Sequence, residues 1–193
     1  MKIYETKVEA GTKQWLKIPV DEECSLKAAA FCGSRPGKRL IVTAGVHGCE
    51  YIGILAVSRL IQELDPRQMK GEVVFLPIAN EGGFYKEIKQ LVPEDGVNLN
   101  RAFPGTEMGS RSAKIAAAVE TYLYPDADFL VDLHSGDIHE MVVPFAFFPV
   151  AAGETVEKKA AAAARAMSLS WRVASTAKNG LYSWAAQKMD GAS

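Results

Sequence analysis

Histidine, the commonest metal ligand among side chains, is scarce in this chain. The chain has three histidines, His47, His134 and His139. Two of them directly follow predicted buried strands, and the carboxyl ends of strands are where open α/β sheets bind ligands. His47 is followed three residues on by Glu50, at a strand-to-helix junction. Positions i and i+3 share one face of a helical turn, so this imidazole and carboxylate could hold one cation together. His134 would add a third ligand from a separate strand end. Two histidines and one carboxylate, with a fourth position open, form a catalytic zinc arrangement. Two nitrogens and a carboxylate suit zinc best among common ions. The His-x-x-Glu spacing alone is weak, because it also arises by chance and fits a surface or capping histidine. His139, with Glu140, reads as lying at the mouth of the site or on the surface. Cys49 reads as a packed thiol turned away from Glu50.

The elements that must position these residues can be read from hydrophobic patterning. Arg39–Gly45 is a continuous apolar run, the mark of a strand buried on both faces. It follows a predicted turn at Ser34-Arg35-Pro36-Gly37. Glu50–Leu64 repeats Ile54, Val57, Ile61 and Leu64 at helical spacing. Further strands are predicted at Glu72–Ile78 and Asp128–Asp132, with a fourth over Met141–Val150. Helices are predicted over Ser112–Tyr124, over the Ala-rich Glu154–Leu169, and over Leu181–Lys188. Residues 1–30 form a β-rich lead-in whose Pro19 confines it to a sheet edge. Residues 79–110 read as one long loop, and a loop of that length is usually functional. Alternating strands and helices predict an α/β fold, with a mostly parallel or mixed central sheet and helices on both faces.

Composition excludes several classes. The chain has 193 residues, 48% hydrophobic and 23% charged, with a net charge of −1. That balance excludes disorder, and it lacks the basic excess of a non-specific nucleic-acid binder. No apolar run approaches the roughly 20 residues of a membrane span. The length predicts one domain, residues 1–193. Three cysteines without metal-type spacing read as free thiols in a reducing cytoplasm, and no signal peptide is visible.

Three segments together carry a resemblance: Thr43-Ala-Gly-Val-His-Gly-Cys-Glu50, Gly96-Val-Asn-Leu-Asn-Arg-Ala-Phe-Pro-Gly105, and Val131-Asp-Leu-His-Ser-Gly136. In order and spacing, and in the Val143-Pro-Phe that follows, the chain resembles the zinc carboxypeptidase superfamily. Within it, the match is to the succinylglutamate desuccinylase/aspartoacylase-like branch. The resemblance covers roughly residues 38–190. It implies that His47, Glu50 and His134 bind one Zn2+. It also implies that Asn100 and Arg101 hold a substrate carboxylate and polarise the scissile carbonyl, with Arg101 the catalytic cation. An arginine can grip a carboxylate through two parallel hydrogen bonds and steady a developing oxyanion. The plainer reading of Arg101 is a surface ion pair.

Three departures from the family pattern shape the expectations. The family's general base is a glutamate on a late Ile-Pro-x-x-x-x-Glu segment, and the chain reaches Ser193 without one. It therefore reads as C-terminally truncated, with an unpaired sheet edge that invites homo-oligomerisation. Asn98 stands where the family has an aspartate behind a metal-bound histidine. An amide still orients the ring but adds no charge, which predicts weaker zinc binding. No arginine lies between Asn80 and Asn100, leaving Lys86 and Lys89 as the available cations. The resemblance thus implies a zinc-dependent hydrolase of an amide bond beside a carboxylate, N-acyl amino acid deacylase or carboxypeptidase-like, with zinc-activated water as nucleophile. The substrate would be a small molecule bearing a carboxylate. The alternative is a non-catalytic zinc- or carboxylate-binding domain lacking the base. The plainest alternative is a structural α/β domain with chance histidines.

Overall fold

In the computed structural model, which describes residues 1–190, the segment after Arg39 divides two hydrophobic clusters between its alternate residues. Ile41 packs with Ile18, Leu76, Ile115, Leu123 and Leu181. Val42 and Ala44 pack with Phe31, Ile54, Val57 and Phe75. Successive strand residues face opposite sides, so a strand apolar at every position must be covered on both. That requirement produces the three layers of this fold.

The elements follow in order. The lead-in is β1 (Lys2–Ile3), β2 (Thr6–Lys7), β3 (Thr12–Pro19) and β4 (Ser25–Cys32). The core continues with β5 (Arg35–Ala44), α1 (Tyr51–Glu63) and β6 (Lys70–Leu76). Then come α2 (Glu81–Tyr85), β7 (Leu91–Val92), β8 (Val97–Asn98), a 3-10 turn (Leu99–Arg101) and α3 (Arg111–Tyr122). The last part is β9 (Phe129–Leu133), β10 (Phe145–Pro149), α4 (Glu154–Ala166), β11 (Trp171–Ser175) and α5 (Leu181–Asp190).

The central sheet has the order β3-β4-β6-β5-β9. The β3–β4 and β4–β6 pairs are antiparallel, and β6–β5 and β5–β9 are parallel. α1 covers one face, while α3 and α5 cover the other. The fold is therefore the expected mixed α/β sheet with helices on both sides, and Pro19 ends the edge strand β3. β10 and β11 form a separate parallel pair. A groove of about 790 Å³ is lined by Tyr124, Phe129, Leu130, Pro149, Val156 and Tyr182 among others. None of the three candidate metal ligands lines this groove.

The structure differs from the sequence expectations in three places. The chain does not turn at Ser34–Gly37: β5 begins at Arg35 and carries a register shift between Arg35 and Arg39 against β6. Gly37 lies hard against Gly71, so a Pro-Gly pair here serves a close strand approach rather than a reversal. Residues 79–110 are not one loop, but hold α2, the β7–β8 hairpin and the 3-10 turn. These elements are two to five residues long, too short to show periodicity. β11 was not expected, because all but the last of its residues are exposed and no apolar alternation marks it.

Candidate metal centre

Backbone geometry delivers the first two ligands. Gly45, with φ +61°, turns the chain out of β5 in a conformation that L side chains rarely adopt. Asn80 N–H donates to the Gly45 carbonyl at 2.8 Å, tying this turn to the start of α2. At Gly48 a Cβ would be driven into the Gly83–Phe84 backbone, so only glycine allows the His47 loop to pack on α2. Glu50 is the residue immediately before α1, and its backbone N–H donates to the His47 carbonyl at 3.2 Å. The tight turn brings both side chains to one place.

His134 arrives from β9, one residue past its end. Its Nδ1 lies 2.8 Å from Glu50 Oε2, and His47 Nδ1 lies 2.8 Å from Glu50 Oε1. The two imidazole rings meet edge-on, with centroids 4.9 Å apart. One ligand atom from each of His47, Glu50 and His134 falls within 4.8 Å of the others, and among the described residues this is the one such group. Tetrahedral zinc with bonds near 2.0–2.1 Å needs donor separations of about 3.3 Å. The Glu50 oxygens lie 2.8 Å from each Nδ1 and the whole group within 4.8 Å, which brackets that spacing, and two nitrogens with one carboxylate leave a fourth position open. The donor set fits a zinc ion.

The electrostatics follow from mutual proximity. Glu50 is largely buried, which opposes its charge. The hydrogen bonds from His134 and His47 outweigh burial and hold its carboxyl down to about 2. Ser135 N–H adds a donor at 3.1 Å. Burial likewise opposes the charged form of His134, but Asp132 and Glu50 together push it up to about 10.

Behind each ligand ring stands a polar oxygen. His47 Nε2 lies 3.2 Å from Asn98 Oδ1, and His134 Nε2 lies 2.9 Å from Asp132 Oδ2. Asn98 Oδ1 also caps the 3-10 turn by accepting from Asn100 N–H at 2.9 Å. Leu99, fully buried, pins that turn to the core. Asn100 Oδ1 accepts from Leu181 N–H at 2.8 Å, so its carbonyl holds the start of α5 and its amide nitrogen is the group left to meet a ligand. The Arg101 guanidinium is exposed and donates to Asn179 Oδ1 at 3.4 Å.

The remaining candidates stand outside the donor group. His139 and Glu140 are exposed. Cys49 is buried, 3.9 Å from the Tyr51 hydroxyl, and the three cysteines are free. Lys86 lies 3.8 Å from Glu94, and Lys89 pairs with Asp137 at 2.9 Å in the loop that follows His134. Sequence reasoning missed Asp132, Thr43 and the Ser135 amide. The Asp-x-His spacing at a strand end was the available signal, since alternate strand residues share a face.

The architecture is thus that of an α/β protein with a His–Glu–His cluster at the carboxyl ends of neighbouring strands. The profile of the "Succinylglutamate desuccinylase/Aspartoacylase catalytic domain" matches residues 36–191. The chain belongs to the succinylglutamate desuccinylase/aspartoacylase family. Over 137 residues it is 35% identical to the N-alpha-acetyl-L-2,4-diaminobutyric acid deacetylase of Halomonas elongata, covering 68% of this chain and 40% of that protein. A succinylglutamate desuccinylase from Silicibacter sp. has a similar structure, with a TM-score of 0.79 and 28% identity over 92% of this chain and 56% of that one. The product-bound ectoine utilization protein EutE (DoeB) from Ruegeria pomeroyi gives 0.78 and 27%, over 93% and 56%. The chain therefore spans about half the length of the solved relatives. No described helix is long and apolar enough to cross a membrane.

Proposed function

We propose that this chain forms the metal-binding part of a zinc-dependent deacylase that cleaves an amide bond beside a carboxylate, as in an N-acyl amino acid. The observation that carries the reading is the convergence of His47, Glu50 and His134 within 4.8 Å of one another. The names of the relatives point the same way, because a deacetylase of an acetylated diamino acid and a succinylglutamate desuccinylase both act on N-acyl amino acids.

The chain's own residues would divide the work as follows. Glu50 stays anionic and supplies the one negative charge of the donor set. His47 and His134 turn their Nδ1 atoms inward, while Asn98 and Asp132 hold the Nε2 atoms behind them. A bound zinc supplies Lewis-acid polarisation of a carbonyl and acidification of water. Arg101, exposed one short turn after Asn98, offers a fork to a substrate carboxylate, and the Asn100 amide lies beside it. The free thiols suit a reducing compartment, and we read the protein as cytoplasmic.

One observation favours the second reading, a zinc- or carboxylate-binding domain without turnover. Among the described residues the one group that could hold a metal contains a single carboxylate, Glu50, which serves there as a ligand and not as a base. A positioned base is worth about 10²–10⁴ in rate. Metal analysis after dialysis, followed by assay on N-acetyl and N-succinyl amino acids with and without chelator, tests both. Retained zinc with chelator-sensitive hydrolysis supports the deacylase. Retained zinc without hydrolysis favours the binding domain, and no retained zinc refutes both.

A further inference from the structure

We propose that Thr43 and Asp132 form a buried positioning pair that presents His134 to the metal through Nδ1 and carries a share of the metal affinity. This rests on the zinc reading above.

The pair is set by the sheet. Thr43 on β5 and Asp132 on β9 are register partners in the parallel β5–β9 ladder. Their side chains therefore emerge on the same face, opposite each other. Thr43 is fully buried, and the Asp132 side chain is 1% exposed. The Thr43 hydroxyl donates to Asp132 Oδ1 at 2.6 Å. Asp132 Oδ2 lies 2.9 Å from His134 Nε2.

A carboxylate accepts and does not donate. The threonine thus saturates one oxygen and fixes the carboxylate plane, leaving the other oxygen to accept a hydrogen bond from Nε2–H of the ring. With the Nε2 proton so held, the Nδ1 lone pair is the ligand, and Nδ1 is the atom that faces Glu50. A buried carboxylate with only one partner would be free to rotate away from the ring. The hydroxyl removes that freedom.

The other ligand ring has no such support. Behind His47 stands a neutral amide, Asn98, whose oxygen is shared with the Asn100 backbone N–H. Of the two imidazole ligands, only His134 is backed by an anion. Asp132 is therefore the residue that raises ligand basicity in this centre, and Thr43 is the residue that keeps it aimed.

The test measures zinc affinity of the full chain by competition with a chromophoric chelator, for wild type and three variants. Asp132→Asn preserves shape and removes charge, and its affinity falls about 10–100-fold, the range for partners behind metal ligands. Thr43→Val removes one hydrogen bond and costs about fivefold to tenfold. Thr43→Ser restores the hydroxyl and the affinity. A second readout separates positioning from plain structural support. With three histidines in the chain, nitrogen-15 imidazole spectra of the zinc-loaded protein resolve the ring tautomers. The slowly exchanging Nε2–H signal of His134 is sharp in wild type and Thr43→Ser, and is broadened or lost in Thr43→Val and Asp132→Asn.

Circular dichroism identifies any variant that fails to fold, and the threonine pair then decides alone. Wild-type affinity together with an unchanged Nε2–H signal in Asp132→Asn and Thr43→Val overturns the proposal while leaving the zinc reading intact. A wild-type chain that binds no zinc overturns both.

Discussion

At the residue scale the centre is organised around one carboxylate. Glu50 meets both imidazoles and a backbone amide, so its charge is compensated three times over. Glu50→Gln keeps the shape and removes the charge. We expect zinc retention to fall by more than about 100-fold, beyond what outer partners contribute, measured by equilibrium dialysis. Asn98→Asp should act in the opposite direction. It preserves the acceptor for the Asn100 N–H and adds charge behind His47, tightening zinc by about tenfold in chelator competition. The pH dependence follows from His134, pushed up to about 10 in the metal-free chain. Metal binding must displace its Nδ1 proton, so apparent zinc affinity rises with pH and levels off above about 10. The metal-free fold responds in the other sense. A raised folded-state value means stability that is full below the unfolded value near 6.5 and lost as pH rises through about 10. Urea titrations of metal-free protein at pH 6 and pH 9.5 should therefore show the lower midpoint at pH 9.5.

At the element scale, the site is held by short connections that tie the core to the donors. Leu99 is the clearest tie, fully buried between Asn98, which faces His47, and the Asn100–Arg101 pair. Leu99→Ala should cost about 2–5 kcal/mol and loosen Asn98 with it, so the urea midpoint and the zinc affinity fall together. Gly48 is a second tie. Gly48→Ala forces the His47 loop off α2, and overpacking of this kind costs about 1–3 kcal/mol. Calorimetry of the metal-free variant measures that loss. The long strands and helices were legible in sequence because patterns like Ile54, Val57, Ile61 run over several turns. The β7–β8 hairpin and the Leu99–Arg101 turn were not, because two- and three-residue elements carry no period. Their local marks were the capping asparagines Asn80 and Asn98, whose side chains accept from Gly83 N–H and Asn100 N–H.

At the scale of the whole molecule, an unpaired strand edge and an apolar face stand out among the described residues. β9 ends the central sheet, and the β10–β11 pair exposes Phe145, Phe147, Trp171 and Val173. Register pairing puts Phe145 beside Trp171 and Phe147 beside Val173, so these side chains form one apolar face. Unpaired edges and contiguous apolar faces promote association. Sedimentation velocity should show concentration-dependent self-association of the 193-residue chain, reduced in a Phe147→Lys, Trp171→Lys double variant. A monodisperse monomer at all concentrations refutes this expectation.

The amino-acid sequence by itself determined the fold class and the identities of the candidate donors. Buried strands must be apolar on both faces, and ligand types at strand ends are visible in one dimension. Only the tertiary structure decided what stands behind those donors. Thr43 and Asp132 are 89 residues apart, and their meeting depends on β5 pairing with β9 in one register. A shift of one residue along that ladder turns Asp132 to the other face. Nothing local in the chain encodes that choice, because register is set by how both faces of the sheet pack at once.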